Sequence, residues 1–185
     1  STFTVVTEIS LGSRAGLVQS ITLDSAAQLA FVPNTIRNTD NTLLEFDTSV
    51  FPFVSVIDLE RSIHLRRQRL ALDIIDKPVG LPLESLLSGE DLYVVNAASN
   101  DISVINLANS QLRAHIEVGG FPMGIAQSLD GAFIYIDNAV DGSMSVIDAE
   151  SLTEISRTVV TQLPLDDNVK QGLKLFHSSD DTRMA

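Results

Sequence analysis

The chain contains no cysteine. That excludes disulfides, cysteine-based metal sites and covalent c-type haem attachment within these residues, although it does not fix the compartment. No apolar run approaches the ~18 residues that read as a membrane-spanning helix. Basic residues are scarce, with 12 Lys and Arg against 24 Asp and Glu and a formal net charge of −12. Phosphate backbones and anionic membrane surfaces reward Lys and Arg, so neither nucleic acid nor membrane is an expected partner. The acidic balance would attract a basic soluble partner and otherwise favours solubility. Enzyme signatures are missing as well: no Gly-x-Ser-x-Gly elbow, no phosphate-cradling glycine loop and no His-Glu-x-x-His. No signal peptide is visible, but the first residue is Ser and not Met. The chain therefore reads as a piece of something longer, and the lack of a leader is uninformative.

What is present is a repeat. Leu92 to Asn106, LYVVNAASNDISVIN, superposes without a gap on Ile134 to Asp148, IYIDNAVDGSMSVID. An earlier copy is split into AFVPN, Ala30 to Asn34, and VSVID, Val54 to Asp58. Residues 35–53 push its halves apart. A second recurring element ends in Pro-x-Gly, in DIIDKPVG and in AHIEVGGFPMG. Each copy reads as short strands with period-2 alternation and β-branched residues on both faces, the pattern of strands buried between layers. Leu112, Ala114, Ile116 and Val118 alternate with Arg113, His115 and Glu117, which predicts a half-exposed outer strand. A fourth short strand is expected after the Pro-x-Gly, in Gly124 to Ser128, followed by a tight Asp-Gly turn at Leu129 to Phe133.

Four short strands in about 42 residues is the arithmetic of a β-propeller blade, and stacked blades bury one another's faces. The expected fold is all-β: about three to four four-stranded antiparallel blades, an incomplete propeller, with a short C-terminal helical segment. Phe3 to Gly12, FTVVTEISLG, is similar to the outer-strand segment LRAHIEVGG, and Ile21 to Asn34 lines up with Ile125 to Asn138. The chain is therefore expected to start mid-blade and to expose strand edges at its end blades.

These residues resemble the YVTN family of β-propeller repeats, through LYVVNAASNDISVIN, IEVGGFPMGIAQSLDGAFIYIDN and MSVIDAESLTEI. The resemblance covers about Leu29 to Val160 outside the insertion. The family's Pro-Asp-Gly before each first strand is replaced by Ser88-Gly89-Glu90 and Leu129-Asp130-Gly131. This difference affects turn detail and leaves the fold expectation intact. The C-terminal stretch leaves the repeat. Val169 to His177 has helical character with Asp166 or Asp167 as N-cap, and GLKLFHSSDDTRMA resembles the opening of a di-haem cytochrome c peroxidase-like domain. The insertion resembles one found in such fusions. These resemblances imply a propeller over residues 1–162 and a linker and start of a cytochrome c-like domain over residues 163–185. In that reading, the parent carries a c-type haem beyond Ala185 and lies in the periplasm or cell envelope. A redox protein is an expected partner beside that downstream domain.

Several side chains are candidates for chemistry. Asn34, Asn96 and Asn138 recur at first-strand ends, as a polar ring on one face or, more plainly, as strand-ending side chains bonded to nearby backbone. Asp58, Asn106 and Asp148 recur after the second strand, where an Asx-turn explains them. His115 is expected to be solvated beside Arg113 and Glu117. His64 lies in the Arg-rich ERSIHLRRQRL and His177 follows Phe176. None has a second metal ligand at diagnostic spacing, and without the haem motif no ligand role passes to His177. Arg61, Arg66, Arg67 and Arg69 form a basic patch that reads as a solvated loop face or a dock for acid. Asp40, Glu45 and Asp47 lack the spacing of a calcium loop, so an interface or lid role suits the insertion better.

No catalytic, cofactor-binding or metal residue is assigned within this chain. The leading functional expectation is a non-catalytic propeller scaffold or binding segment of an envelope haem redox protein. A cofactor-free surface propeller for protein interaction is the alternative, and a lactonase-type propeller enzyme with a channel metal is the weaker third. Fold analogy does not decide among them.

Overall fold

The computed structural model describes residues 4–38, 40 and 49–177. Among these residues, fourteen strands and two helices are described, and the strands build three sheets stacked face to face. In the first sheet, β3 (Leu29–Arg37) pairs along nine residues with β4 (Val50–Asp58), and β1 (Ala15–Gly16) and β2 (Thr22–Asp24) both pair with β3. Short β5 (Ile63–His64) and β6 (Leu70–Ala71) finish this blade on the far side of β4. One turn of helix, α1 (Leu72–Ile75), leads to the second blade. There β7 (Pro82–Ser88), β8 (Asp91–Asn96), β9 (Asp101–Asn106) and β10 (Gln111–Glu117) form an antiparallel meander. The third blade repeats it with β11 (Pro122–Gln127), β12 (Phe133–Asn138), β13 (Ser143–Asp148) and β14 (Thr153–Val159). Helix α2 (Asp167–His177) closes the described chain. Its first turn is capped where expected, the Asp166 carboxylate accepting the Val169 N–H at 3.0 Å. The fold is all-β with propeller blades.

Blade stacking explains why these strands are apolar on both sides. Each blade has one face turned forward along the chain and one turned back. The forward face of blade 1 (Phe31, Val54, Val56) packs on the backward face of blade 2 (Leu92, Val94, Ile105). The forward face of blade 2 (Tyr93, Ile102, Val104) packs on Ile134, Ile136 and Ile147 of blade 3. Every residue of β8 is buried in consequence. The expected Asp-Gly turn forms before β12, with Gly131 at φ +77 and its N–H donated to the Ser128 carbonyl at 2.9 Å.

Four expectations change. The strand after the proline pairs forward with the next copy, Pro82 opposite Asn96 and Pro122 opposite Asn138, so it opens a blade where it was expected to end one. This register also matches Pro122 to Pro82, not to Pro78. Residues 4–12 form no strand; Ile9 and Leu11 instead lie over the backward face of blade 1, against Ala30, Val32 and Ile57. The ends of the insertion are not a detour. Thr35–Arg37 and Val50–Phe53 prolong the β3–β4 hairpin, Arg37 opposite Val50. Finally, β10 does not alternate cleanly, because a bulge between Leu112 and Ala114 re-aims the strand. The bulge moves Leu112 to the side of Ile105, while His115 keeps its alternation with Ala114 and Ile116, opposite Ser103, and is buried because Asp76 meets it there.

Candidate functional site

Each blade carries the same polar staple between its two central strands. Asn34, Asn96 and Asn138 are fully buried. Ser55 donates to Asn34 at 2.8 Å, Asn96 donates to Ser103 at 2.9 Å, and Asn138 donates to Ser145 at 2.8 Å. Burial makes the bond obligatory, since an unpaired amide would lose its water for nothing. The recurring asparagines thus join side chain to side chain across the strand pair, and Asn34 also makes the expected backbone bond, donating to the Thr35 carbonyl at 3.4 Å. The recurring residues after the second strand behave as predicted. Asp58, Asn106 and Asp148 accept the N–H groups of Arg61, Ala108 and Ser151 at 2.8, 3.1 and 2.7 Å.

Blade 2 elaborates the staple into a cluster. Asn96 also donates to Asp101 at 2.7 Å, and Ser103 donates to Asp76 at 2.7 Å. Asp76 follows α1, and its carboxylate faces His115 Nδ1 at 2.9 Å. Asp101 stands 3.8 Å from the other ring nitrogen of His115. Both carboxylates have side chains only 2% exposed and His115 is 14% exposed, so the expectation of a solvated histidine is overturned. Burial pushes the Asp101 carboxyl above its ordinary range, against the hydrogen bonds from Ser99 and Asn96 and the attraction of His115. An imidazole between two buried carboxylates binds together three chain segments: the α1 linker, the β8–β9 hairpin and the outer strand β10.

Blade 3 lacks the cluster. Ser143 stands at the Asp101 position, opposite Asn138 of β12, and Arg157 at the His115 position, opposite Ser145 of β13. Blade 1 has Phe53 at the Asp101 position, opposite Asn34. The cluster borders a polar cavity of about 260 Å³ whose rim includes Lys77, Ser99, Asn100 and Glu117. Ser103 donates to a carboxylate and not to the imidazole, so its hydroxyl is not arranged as in a Ser–His–Asp triad. Among the described residues, no group of three or more His, Asp or Glu could hold a metal ion.

At the same end of the blades, α2 docks on the loops. Lys174 reaches Asp141 at 2.7 Å, and the His177 ring lies 4.2 Å from the Phe121 ring, centroid to centroid. Asp141 is partly buried, which raises its pKa, but Lys174 and the Gly120 N–H outweigh that and hold it below the usual carboxylate range. Phe121 in turn donates its N–H to Asn100 on the cavity rim at 2.8 Å. The helix end is thus linked to the cavity rim through Phe121 and Asn100.

The remaining candidates disperse. His64 sits on β5 with neither ring nitrogen hydrogen-bonded among the described residues. Burial lowers its pKa, and Arg66 and Arg69 lower it further. The arginines do not act as one patch: Arg61 pairs with Asp58 at 3.6 Å, Arg69 caps the Phe53 ring at 4.5 Å, and Arg67 lines a separate cleft between blades 1 and 2. Asp40 pairs with Arg14, while Glu45 and Asp47 lie outside the described residues. Asp76, Asp101 and Ser103 were missed from sequence. The serine in VSVID, ISVIN and MSVID was a visible signal, as was an aspartate at the place of Phe53 and Ser143.

No protein-family model and no curated protein matches the chain. Solved structures do, and they show the fold. A protein of unknown function from Bacteroides caccae is 12% identical with a TM-score of 0.58, over 84% of this chain and 50% of that one. A nidogen/laminin complex is 18% identical with a TM-score of 0.54, over 77% and 48%. The hydrazine synthase of Kuenenia stuttgartiensis is 24% identical with a TM-score of 0.52, over 61% and 33%. The matched region spans about a third to a half of these chains. No helix among the described residues is long and apolar enough to cross a membrane.

Proposed function

We propose that the chain is the non-catalytic β-propeller segment of a cell-envelope haem redox protein, in which it positions a c-type cytochrome domain and shapes access to it. The observation that carries this reading is the docking of α2. The helix belongs to the stretch that resembles the opening of a di-haem peroxidase-like domain, and Lys174 and His177 hold it to the blade loops beside the polar cavity. A downstream domain would then sit over the end of the blades that carries Asp76, His115 and Asp101. The chain has no cysteine for covalent haem attachment, and the His177 ring packs against Phe121 and Phe176. Any haem chemistry belongs to the downstream domain, and a redox protein docking at the same end is the partner this reading implies.

The test is to extend the reading frame past Ala185, express the longer protein and record its visible absorption. A Soret band together with an in-frame Cys-x-x-Cys-His is the expected result. A colourless product without that motif would overturn the reading in favour of a cofactor-free interaction propeller.

A further inference from the structure

The two junctions between blades are not equally closed at the end that carries the Asp58, Asn106 and Asp148 turns. At the junction of blades 2 and 3, Gln127 donates to Ser88 at 2.6 Å, and Leu152 packs on the core that holds Tyr93 and Val104. The strand register gives the matching places at the junction of blades 1 and 2. Leu87 stands opposite Leu92 as Gln127 stands opposite Ile134, and Asp24 stands opposite Leu29 as Ser88 stands opposite Asp91. Leucine cannot donate to that aspartate, so the bridging bond has no counterpart. Ser110 takes the place of Leu152 in the turn after the second central strand, with the same left-handed backbone, φ +56 and +54. Leu107, at the place of Ala149, packs on the core without closing the gap.

The outer edge of this junction is open too. The outer strand of blade 2 runs unbroken from Gln111 to Glu117, whereas that of blade 1 breaks into β5 and β6, and the loop between them carries Arg67 and Gln68. The result is a cleft of about 590 Å³, a usual size for a small-molecule site. Phe31, Val56, Leu70 and Leu107 give it an apolar wall. On its rim the Asp24 carboxylate is already engaged, accepting the Ala26 and Ala27 N–H groups at 3.0 and 2.9 Å. Glu90 lines it from the β7–β8 turn. Arg67 is exposed and has no hydrogen bond or ion pair among the described residues. The positive charge of its loop is felt nearby, where burial and then Arg66 and Arg69 lower the pKa of His64.

We propose that this cleft binds a small molecule with an apolar body and one carboxylate, the body lying on Phe31, Val56, Leu70 and Leu107 and the carboxylate on the Arg67 guanidinium beside the Gln68 amide. A planar guanidinium meets a carboxylate through two parallel hydrogen bonds, a geometry the ammonium of a lysine does not offer. The apolar body takes from water a wall that, at the other junction, the protein covers with its own Leu152. A medium-chain fatty acid or an arylalkanoic acid has this chemistry. The inference does not rest on the haem reading. The cleft lies at the opposite end of the blades from the α2 contacts, and its test needs no haem.

The probe is anilinonaphthalene sulfonate, which fluoresces in apolar surroundings and whose sulfonate stands in for the carboxylate. Titrated into the 185-residue chain, it should bind saturably. Decanoate should displace it, and decyltrimethylammonium should not. Ser110→Leu gives blade 2 the leucine that blade 3 carries at the matching turn. It should narrow the cleft and weaken the probe about tenfold, with the melting temperature unchanged or raised. Arg67→Gln tests the anchor independently and should also weaken the probe about tenfold. Arg61→Gln, whose charge is paired with Asp58, should leave the affinity unchanged. Met144→Ser lies in a separate groove along β12 and β13 and should leave the decanoate-displaceable signal intact. No decanoate-displaceable signal would overturn the proposal. So would displacement by the ammonium and not by the carboxylate, parental affinity in both Ser110→Leu and Arg67→Gln, or loss of the signal in Met144→Ser.

Discussion

Blades 2 and 3 share one sequence pattern and one strand order, yet differ in what surrounds them. Blade 2 is covered on both faces and closed at its loop end by the Asp76–His115–Asp101 cluster. Blade 3 is covered on one face, carries Ser143 and Arg157 at the cluster positions, and receives α2 at its loops. The repeat thus specifies a sheet, while the neighbours of that sheet decide whether a given position is core or surface. Substitutions at matched positions should therefore have unequal effects.

The largest difference is expected at the outer strands. His115→Ala takes the ring partner from the buried Asp76 carboxylate and should cost about 3 kcal/mol or more, the scale for leaving a buried charged group without its hydrogen bond. Arg157→Ala removes an exposed contact to Glu154 and should cost at most about 1 kcal/mol. Urea unfolding of both variants checks this; equal losses would break the comparison. Next come the core positions. Ile102→Ala should cost about 2–5 kcal/mol through the cavity it leaves between the blades. Met144→Ala, at the matched position on the open face, should cost below about 1 kcal/mol.

The staples should follow. Asn96→Ala removes the amide bonds to Ser103 and to the buried Asp101 carboxylate, Asn138→Ala only those to Ser143 and Ser145, so the first should lose more, about 2–3 against about 1 kcal/mol. Gly119→Ala tests the third staple from its other side. A Cβ there would stand 2.5 Å from the Asn138 side chain, whereas Val79 at the corresponding place in blade 2 is accommodated in the core. Overpacking should cost about 1–3 kcal/mol.

The smallest effect is a pH dependence in blade 1. The folded state holds His64 neutral, its pKa lowered from 6.5. The unfolded chain therefore binds the extra proton first, and stability is lost as pH falls through about 6.5 towards the lower folded value. His64→Leu should flatten that slope in thermal melts between neutral and mildly acidic pH. An unchanged slope would place the titration elsewhere.

Most of the architecture was legible because self-similarity needs no energy calculation. A gapless match between two stretches names the repeating unit, and alternation within it names the strands. The blade register was harder, since the strand after each proline looks alike whether it ends one copy or opens the next; only its pairing with Asn96 or Asn138 decides. The candidate site was half visible. The recurring asparagines and serines could be seen, but not their mutual bonds. Asp76 and His115 lie far apart in sequence, and alternation sets the ring on the side away from Ala114 and Ile116 without telling that Asp76, after α1, meets it on that side.

Hydrogen exchange, read peptide by peptide, tests the central contrast most directly. Doubly covered β8 and β9 should exchange slowest, through global unfolding, and β14 at the open blade should exchange fastest of the blade 2 and blade 3 strands, through local opening. Equal protection of β9 and β13, or slower exchange in β14 than in β8, would contradict the account.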